Sequence, residues 1–221
     1  MQPVVDSISK TARAALSELH KGDRAAVMAF DRHTELILDL TPDLAAVDRA
    51  IRERVLQRNF IPVSQIQRGV DDAALHLNLQ PTGNRRRAVL VITDNQGSSP
   101  ENRALHDFWE ADAVLSGLII KAGVRVFFGP QMFGGFGITG IAGKTGGDTV
   151  NANDAGAGFR EMIQRLRLRY SLHYAMPQAK PGEERKVRVE LSPKAARRYP
   201  EAKVLARSGY VAPGPNLLLN K

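Results

Sequence analysis

The chain has 221 residues, no cysteine and a formal net charge of +8 at pH 7. Its hydrophobic fraction of 43% and charged fraction of 24% are typical of a globular domain with a small appendage and argue against disorder. The absence of cysteine excludes disulfides, thiolate metal sites and cysteine nucleophiles. No apolar run reaches the roughly 20 residues of a membrane span, and residues 1–10 do not have the pattern of a signal peptide.

The positive charge is concentrated toward the C-terminus. From Arg160 onward there are 14 basic and 5 acidic residues, whereas residues 1–159 contain 17 basic and 18 acidic residues. A basic tail of this kind could attract nucleic acid, anionic lipid or an acidic partner, and nucleic-acid binding would weaken steeply with salt. Charge alone is a weak signal, so we interpret the tail as a solvated basic surface and expect no nucleic-acid partner.

The first part of the chain is predicted to alternate between helices and strands. A short polar turn predicts that the first two strands form an antiparallel hairpin, and Thr41 and Pro42 are a candidate N-cap and first residue of the helix that follows. A continuous apolar run predicts that the third strand is buried on both faces. In chain order, the predicted elements are a helix over residues 4–19, strands at Arg24–Phe30 and Glu35–Leu40, helices over residues 42–56 and 64–79, and a strand at Ala88–Thr93.

The remaining elements change in character near residue 170. Helices separate the strands before this point, and Pro-rich or Gly-rich connectors separate them after it, which indicates an α/β domain over residues 1–169, a β appendage over 170–213 and a tail over 214–221. The predicted elements are helices at Leu105–Lys121 and Ala155–Arg169, a buried strand at Val124–Phe128, at most one short helix within residues 129–147, and short strands at Tyr170–Ala175, Lys186–Leu191 and Lys203–Arg207.

Two glycine patterns resemble phosphate-binding loops. Gly135-Phe-Gly137-Ile-Thr-Gly140 matches the dinucleotide fingerprint, but it lies late in the chain and further glycines follow it. Gly143-Lys144-Thr145 resembles the end of a phosphate loop, but Ile138 occupies the position of the first required glycine. We interpret this stretch as a helix C-terminus followed by a turn at Gly146-Gly147.

No catalytic constellation is found. The sequence contains neither GxSxG nor HExxH, and its five histidines are scattered. We therefore assign no catalytic residue and predict that the chain is not an enzyme.

The strand Leu90-Val-Ile-Thr ends in Asp94. Ligands of parallel sheets bind beyond the carboxyl ends of the strands, so Asp94 marks a candidate functional edge. The alternative is an ordinary turn or N-cap aspartate.

Several sequence segments, which occur in the same order as in the family, resemble the von Willebrand factor type A (VWA) family. The resemblance is strongest to its bacterial "VWFA-related" group of the acidobacterial type. The likeness covers nearly the whole chain and is most specific in the tail. The segments are KGDRAAVMAF, TPDLAAVDRAI, RRRAVLVITDN, AGVRVFF and IAGKTGGDTV, followed in the tail by RYSLHYAMP, RKVRVEL and VLARSGYVAP.

The resemblance implies a metal-ion-dependent adhesion site, in which oxygen ligands hold Mg²⁺ and a partner's carboxylate completes the shell. Asp94 matches the family's aspartate after the fourth strand. Ser64 matches a threonine that opens a helix, although Pro62-Val63 replaces the usual Gly-Gly before it. Two protein ligands offer too few oxygens to dehydrate Mg²⁺, so we expect no cofactor in this chain as written.

The family's DxSxS motif is missing. Asp6-Ser7-Ile8-Ser9 resembles it but has isoleucine in place of the first serine and lies in a predicted helix. Met1 falls where the family often has a methionine directly after the motif. We therefore expect a copy truncated after DxSxS, without the first, central strand, whose in-frame upstream codons encode both.

The predicted fold is a doubly wound, mostly parallel α/β sheet with helices on both faces, lacking its first central strand and followed by a small C-terminal β segment. The predicted function is non-enzymatic binding of an unidentified protein, with no small-molecule substrate, at a face around Ser64, Asp94 and the loop Asn95–Asn102. The alternative is a nucleotide-binding protein that uses the glycine-rich stretch Gly134–Gly147. The chain itself indicates no compartment, although the resemblance implies that intact family members are exported.

Overall fold

The computed structural model describes residues 16–58, 60, 65–81, 85–95, 102–120, 137–152 and 155–214. The strands are β1 Ala25–Phe30, β2 Thr34–Thr41, β3 Arg87–Thr93, β4 Ala113–Ile120, β5 Thr149–Ala152, β6 Glu184–Lys186 and β7 Gly209–Val211. The helices are α1 Leu44–Ala50, which continues as a π-helical turn over Ile51–Val55, α2 Ile66–Asn78, α3 Asn102–Glu110, α4 Gly137–Thr145, α5 Ala155–Arg167 and α6 Pro193–Arg198.

The strands β3, β4 and β5 form a parallel sheet with β4 in the middle. Successive side chains of a strand point to opposite faces, and this chain uses both faces for burial. The odd-numbered Val89 and Val91 pack against one hydrophobic cluster, whereas Leu90 and Ile92 pack against another. The prediction of a strand apolar on both faces is therefore confirmed.

Helices cover both faces of this sheet. The larger cluster joins one face to α2, α3 and α4, with Phe108 and Leu115 fully buried at its centre. The smaller cluster joins the other face to α5 through Met162, which is also fully buried. The predicted doubly wound α/β architecture is confirmed.

The predicted hairpin is confirmed, since β1 and β2 pair antiparallel. Helix α2 holds it against the body because Gly69 lets Phe30 approach closely, and a Cβ at Gly69 would lie 2.7 Å from Phe30 Cγ. Among the described residues the hairpin and the parallel sheet are separate sheets. The expectation that the strand between β1 and β3 is missing stays a prediction.

The prediction of one helix over Leu105–Lys121 is wrong. Helix α3 ends at Glu110, and the chain turns at Asp112, whose φ of 50° is in the left-handed region, before β4 begins. The apolar run of β4 is buried on both faces, and such a run has no periodicity that separates a strand from a buried helix. The strand predicted at Val124–Phe128 lies outside the described residues.

The start of α1 also differs from the prediction. Its N-cap is Asp43, whose Oδ1 accepts a hydrogen bond from the Ala46 N–H at 3.0 Å, so Pro42 precedes the helix. The hydroxyl of Thr41 accepts from the Asp43 N–H at 3.1 Å instead of capping the helix. Residues 4–15 of the predicted first helix lie outside the described residues.

The C-terminal strands were placed wrongly. Tyr170–Ala175 and Lys203–Arg207 have no regular secondary structure, and of Lys186–Leu191 only Lys186 belongs to a strand. Instead β6 and β7 form a short antiparallel pair, and the unpredicted α6 begins at the N-cap Ser192 with proline as its first residue. Alternation of apolar residues favours a strand, but a strand is stable only when it pairs with another. Here only three residues of β6 pair with three residues of β7. The boundary between a domain at 1–169 and an appendage at 170–213 stays a prediction.

Candidate binding edge of the sheet

Strands β1 and β3 end at the same edge of the molecule. The Arg87 side chain, at the start of β3, donates to the carbonyl oxygens of Leu77 and Gln80 at the C-terminal end of α2, at 2.9 and 2.7 Å. At the opposite end of α2, the Gln65 N–H donates to the Asp31 carbonyl at 2.8 Å, directly after β1. Both strands therefore run toward the N-terminus of α2. We call this region the strand-end edge, formed by Asp31, Gln65, Thr93, Asp94, Asn95 and the N-terminus of α4.

The residues after β3 form a tight turn. The buried Thr93 accepts a hydrogen bond on Oγ1 from the Asn95 N–H at 3.0 Å. Asn95 has a φ of 58°, which asparagine tolerates better than most residues. Its Oδ1 accepts from the Ile138 N–H at 3.2 Å, in the first turn of α4. Asn95 thus caps a helix 43 residues away in the chain, and local sequence gives no signal of such a bond.

Asp94 lies where the sequence placed it, directly after β3 at the strand-end edge, and it is half-buried. Ser64 lies outside the described residues, so its distance from Asp94 stays untested, although its neighbour Gln65 reaches this edge through Asp31. Within the predicted binding loop Asn95–Asn102, Asn95 is the residue whose side chain the structure describes.

Sequence reasoning missed Asp31. It is buried, its Oδ1 accepts from the His33 N–H at 3.1 Å, and its Oδ2 lies 3.5 Å from the Arg58 guanidinium. Arg58 also forms an ion pair with Glu35. An apolar strand precedes Asp31 just as one precedes Asp94, so the same strand-end rule could have found it.

The described oxygens do not by themselves fit Mg²⁺. This ion requires near-octahedral oxygen coordination, and in the part of the chain that the structure describes no three His, Asp or Glu side chains are grouped to hold a metal. The assignment of Ser64 and Asp94 as metal ligands stays a prediction, as does the absence of a cofactor.

The described part of the glycine-rich stretch, residues 137–147, packs within the fold. Residues 137–145 form α4, and Gly146, with φ of 86°, ends it, which confirms the predicted helix end and turn. The buried Thr145 hydroxyl accepts from the Leu115 N–H at 2.9 Å and donates to the Ala142 carbonyl at 2.8 Å. A phosphate loop needs its Lys-Thr pair at a helix N-terminus, whereas Lys144-Thr145 ends this helix.

Two of the described histidines, His76 and His106, make separate surface contacts with carboxylates. His76 lies 2.9 Å from Asp39, and His106 lies 2.8 Å from Glu184. Neither contact is at the strand-end edge, since Asp39 belongs to β2 and Glu184 to β6.

Among the described residues, no helix is long and apolar enough to cross a membrane.

No family model matches the sequence, and no curated protein is significantly similar to it. Solved structures do match. An aerotolerance-related membrane protein from Bacteroides fragilis superposes with a TM-score of 0.57 at 13% identity, covering 74% of this chain and 88% of that one. BatB from Bacteroides thetaiotaomicron gives a TM-score of 0.53 at 16% identity, covering 74% of this chain and 88% of that one. A von Willebrand factor type A protein from Catenulispora acidiphila gives 0.55 at 17% identity, with 73% of this chain covered and only 38% of that one.

A parallel sheet between two helical layers defines a doubly wound α/β protein. More narrowly, the chain is a VWA-type domain in its fold.

Proposed function

We propose that this chain is a non-enzymatic interaction module that binds another protein at the strand-end edge. The observation that carries the proposal is that Asp31 and Asp94 follow β1 and β3 at the carboxyl ends of both strands, at the end of the molecule where α2 begins, in a VWA-type fold. In doubly wound sheets the carboxyl ends of the strands are where ligands bind.

The chemistry of this edge supports recognition rather than catalysis. The Asp31 carboxylate is held by the His33 N–H and Arg58, and Asn95 is committed to capping α4. Groups held in this way keep the edge around the half-buried Asp94 rigid, which reduces the ordering cost of binding a partner.

The test is capture of a partner by three forms of the full chain. Wild type is compared with Asp94→Arg and with Leu79→Arg, a control at the opposite end of α2 whose side chain is 75% exposed. We expect the same partner with wild type and Leu79→Arg, and its loss with Asp94→Arg, because a reversed charge at an interface is strongly unfavourable.

Asp94→Asn removes the charge without adding a larger side chain, so it tests the same residue if Asp94→Arg does not fold. Circular dichroism checks the fold of all forms. Equal capture by all four forms would contradict the proposal. Saturable nucleotide binding by the full chain, abolished by changes in α4, would favour the alternative function.

A further inference from the structure

A second surface, formed by residues 168–176, stands apart from the strand-end edge. Every second residue of this segment is large and apolar, and all five are exposed, by 44 to 93%. They are Leu168, Tyr170, Leu172, Tyr174 and Met176. We call this row the C-terminal apolar row. A period of two is that of one face of a β-strand.

From residue 170 onward, the backbone of this segment lies outside regular secondary structure. Residues 170–176 belong to no helix, turn or strand, and among the described residues their backbone groups make no hydrogen bond to another backbone group. The sequence therefore has the pattern of a strand, and no described residue of the chain pairs with its backbone. Such a segment is a template for strand addition by another chain.

The segment is nevertheless held in place. The Tyr174 ring packs edge-on against the buried Tyr210 of β7, with centroids 6.1 Å apart. The β7 strand is in turn fixed to the body, since the Ser208 N–H donates to the Lys144 carbonyl at 2.9 Å. Lys144 lies at the C-terminal end of α4, whereas Asn95 caps the N-terminal end, so this surface faces away from the strand-end edge.

The positive charge around the C-terminal apolar row indicates the charge of its partner. Residues 168–214 contain ten basic and four acidic residues. Within the described part of the chain the exposed Lys180 and Lys186 are in no ion pair. A second copy of the chain would bring the same positive charge, and like charges repel. An acidic partner is attracted instead.

The unpaired backbone of residues 170–176 favours a peptide over the other two classes of acidic partner, a lipid surface and a nucleic acid. A lipid surface would leave the free N–H and C=O groups without partners in hydrocarbon, which costs several kcal/mol each. A nucleic acid would stack on the two tyrosines but would leave the leucines and methionine between them uncovered. An extended acidic peptide satisfies both the backbone and the apolar row.

We propose that residues 168–176 bind an extended, acidic peptide segment of another protein by β-strand addition. The backbone of the partner pairs with residues 170–176, its alternate apolar side chains cover the C-terminal apolar row, and its carboxylates face the basic residues around β6. This surface is independent of the strand-end edge.

The probe is a fluorescein-labelled peptide of alternating glutamate and valine, titrated with the full chain by fluorescence anisotropy. We expect saturable binding that weakens as salt rises, because exposed charges are screened. The same peptide with alternate backbone nitrogens methylated cannot pair along one edge, and we expect its affinity to fall at least about tenfold, the equivalent of one or two lost hydrogen bonds.

The matched variants are Tyr170→Ser with Leu172→Ser, and Leu75→Ser with Leu79→Ser as exposed apolar controls on α2. We expect the first pair to weaken binding at least about tenfold, the loss for two partly buried side chains, and the second pair to leave it unchanged. Equal binding of the methylated peptide would overturn strand addition. Binding only to phosphatidylserine vesicles or to single-stranded oligonucleotide would overturn the peptide partner.

Discussion

At the scale of single residues, Asn95 links the candidate site to the stability of the fold. It adopts a φ of 58° and accepts a hydrogen bond from the Ile138 N–H at 3.2 Å. The first role requires a residue that tolerates the left-handed region, and the second requires a side-chain acceptor. The turn that carries Asp94 is therefore coupled to α4.

Substitution of Asn95 separates these two roles. We expect Asn95→Ala to lower the free energy of unfolding by about 0.5–2 kcal/mol through loss of the cap and strain at the positive φ. Asn95→Gly also loses the cap but should cost only a few tenths, because glycine tolerates the backbone conformation. Asn95→Asp keeps the acceptor and should remain close to wild type. Urea denaturation measures the series, and equal loss for the Ala and Asp variants would show that the cap contributes nothing.

Asp23 supplies a pH-dependent contact between the start of β1 and α5. Its carboxylate accepts from the His20 N–H at 2.8 Å and from Arg167 at 2.6 Å. Burial raises the pKa of Asp23, but these hydrogen bonds and the Arg167 charge outweigh it and hold the pKa below its ordinary value of 3.8. A carboxyl whose pKa is depressed by folding stabilises the fold above that value and loses the contribution as pH falls through the folded-state pKa.

We accordingly expect Asp23→Asn to lower the free energy of unfolding at pH 7 by up to about 1 kcal/mol, the range of a partly exposed ion pair. The difference from wild type should disappear as the pH falls below 3.8. Denaturation curves at several pH values measure it. A difference that persists unchanged in acid would show that Asp23 acts by packing and not by charge.

At the scale of elements, the turn after α4 is built around a glycine that no other residue can replace. A Cβ at Gly147 would lie 1.9 Å from the Leu115 carbonyl oxygen, and backbone of β4 cannot yield to it. Gly143, inside α4, is the contrast, because a Cβ there meets nothing within 4 Å.

We expect Gly147→Ala to lower the free energy of unfolding by about 3 kcal/mol or more through overpacking. Gly143→Ala should raise it by about 0.5–1 kcal/mol, since alanine is the better helix former. Thermal and urea denaturation of the two variants give the comparison. Similar stability for both would mean that α4 does not dock on β4 as described.

The sequence predicted best those elements whose residue pattern, such as a polar turn or apolar residues at helical spacing, lies within a short stretch of chain. The β1–β2 hairpin has a short polar turn, and α5 has an apolar face at helical spacing, so neither needs information from elsewhere in the chain. Strand β4 was missed because its run of buried residues fits a helix equally well. The Tyr170–Ala175 strand failed for the opposite reason, since its pattern is local but its pairing partner is not.

The same distinction applies to the candidate site. Asp94 followed from the rule that strands end at the functional edge, and Asp31 could have followed from it too. The contacts that organise the edge could not, because Gln65 reaches Asp31, and Asn95 reaches Ile138, only in the folded chain.

At the scale of the whole molecule, the two separate sheets have an energetic consequence. Among the described residues β1 pairs only with β2, and β3 only with β4, so one edge of each strand lacks a ladder partner. Buried groups without partners cost about 1–3 kcal/mol each, a large share of a net stability of about 5–15 kcal/mol. The isolated chain is therefore expected to expose apolar surface and unpaired strand edges between the hairpin and the sheet, and to associate through them.

We therefore expect the isolated chain to bind the dye 8-anilinonaphthalene-1-sulfonate and to aggregate as its concentration rises. The C-terminal apolar row also offers the dye a surface, so the variant carrying Tyr170→Ser and Leu172→Ser is the control. Dye fluorescence should persist in that variant. Its return to the level of a well-packed protein would show that the sheet is closed and only the C-terminal row is exposed.

Amide hydrogen exchange of the full chain, with and without its captured partner, shows directly whether the strand-end edge is a binding surface. We expect slower exchange on binding at Asp31, Gln65 and residues 93–95, with residues at the opposite end of α2, such as Leu79, unchanged. Protection confined to surfaces away from these residues, with Asp94 and its neighbours unaffected, would contradict this expectation.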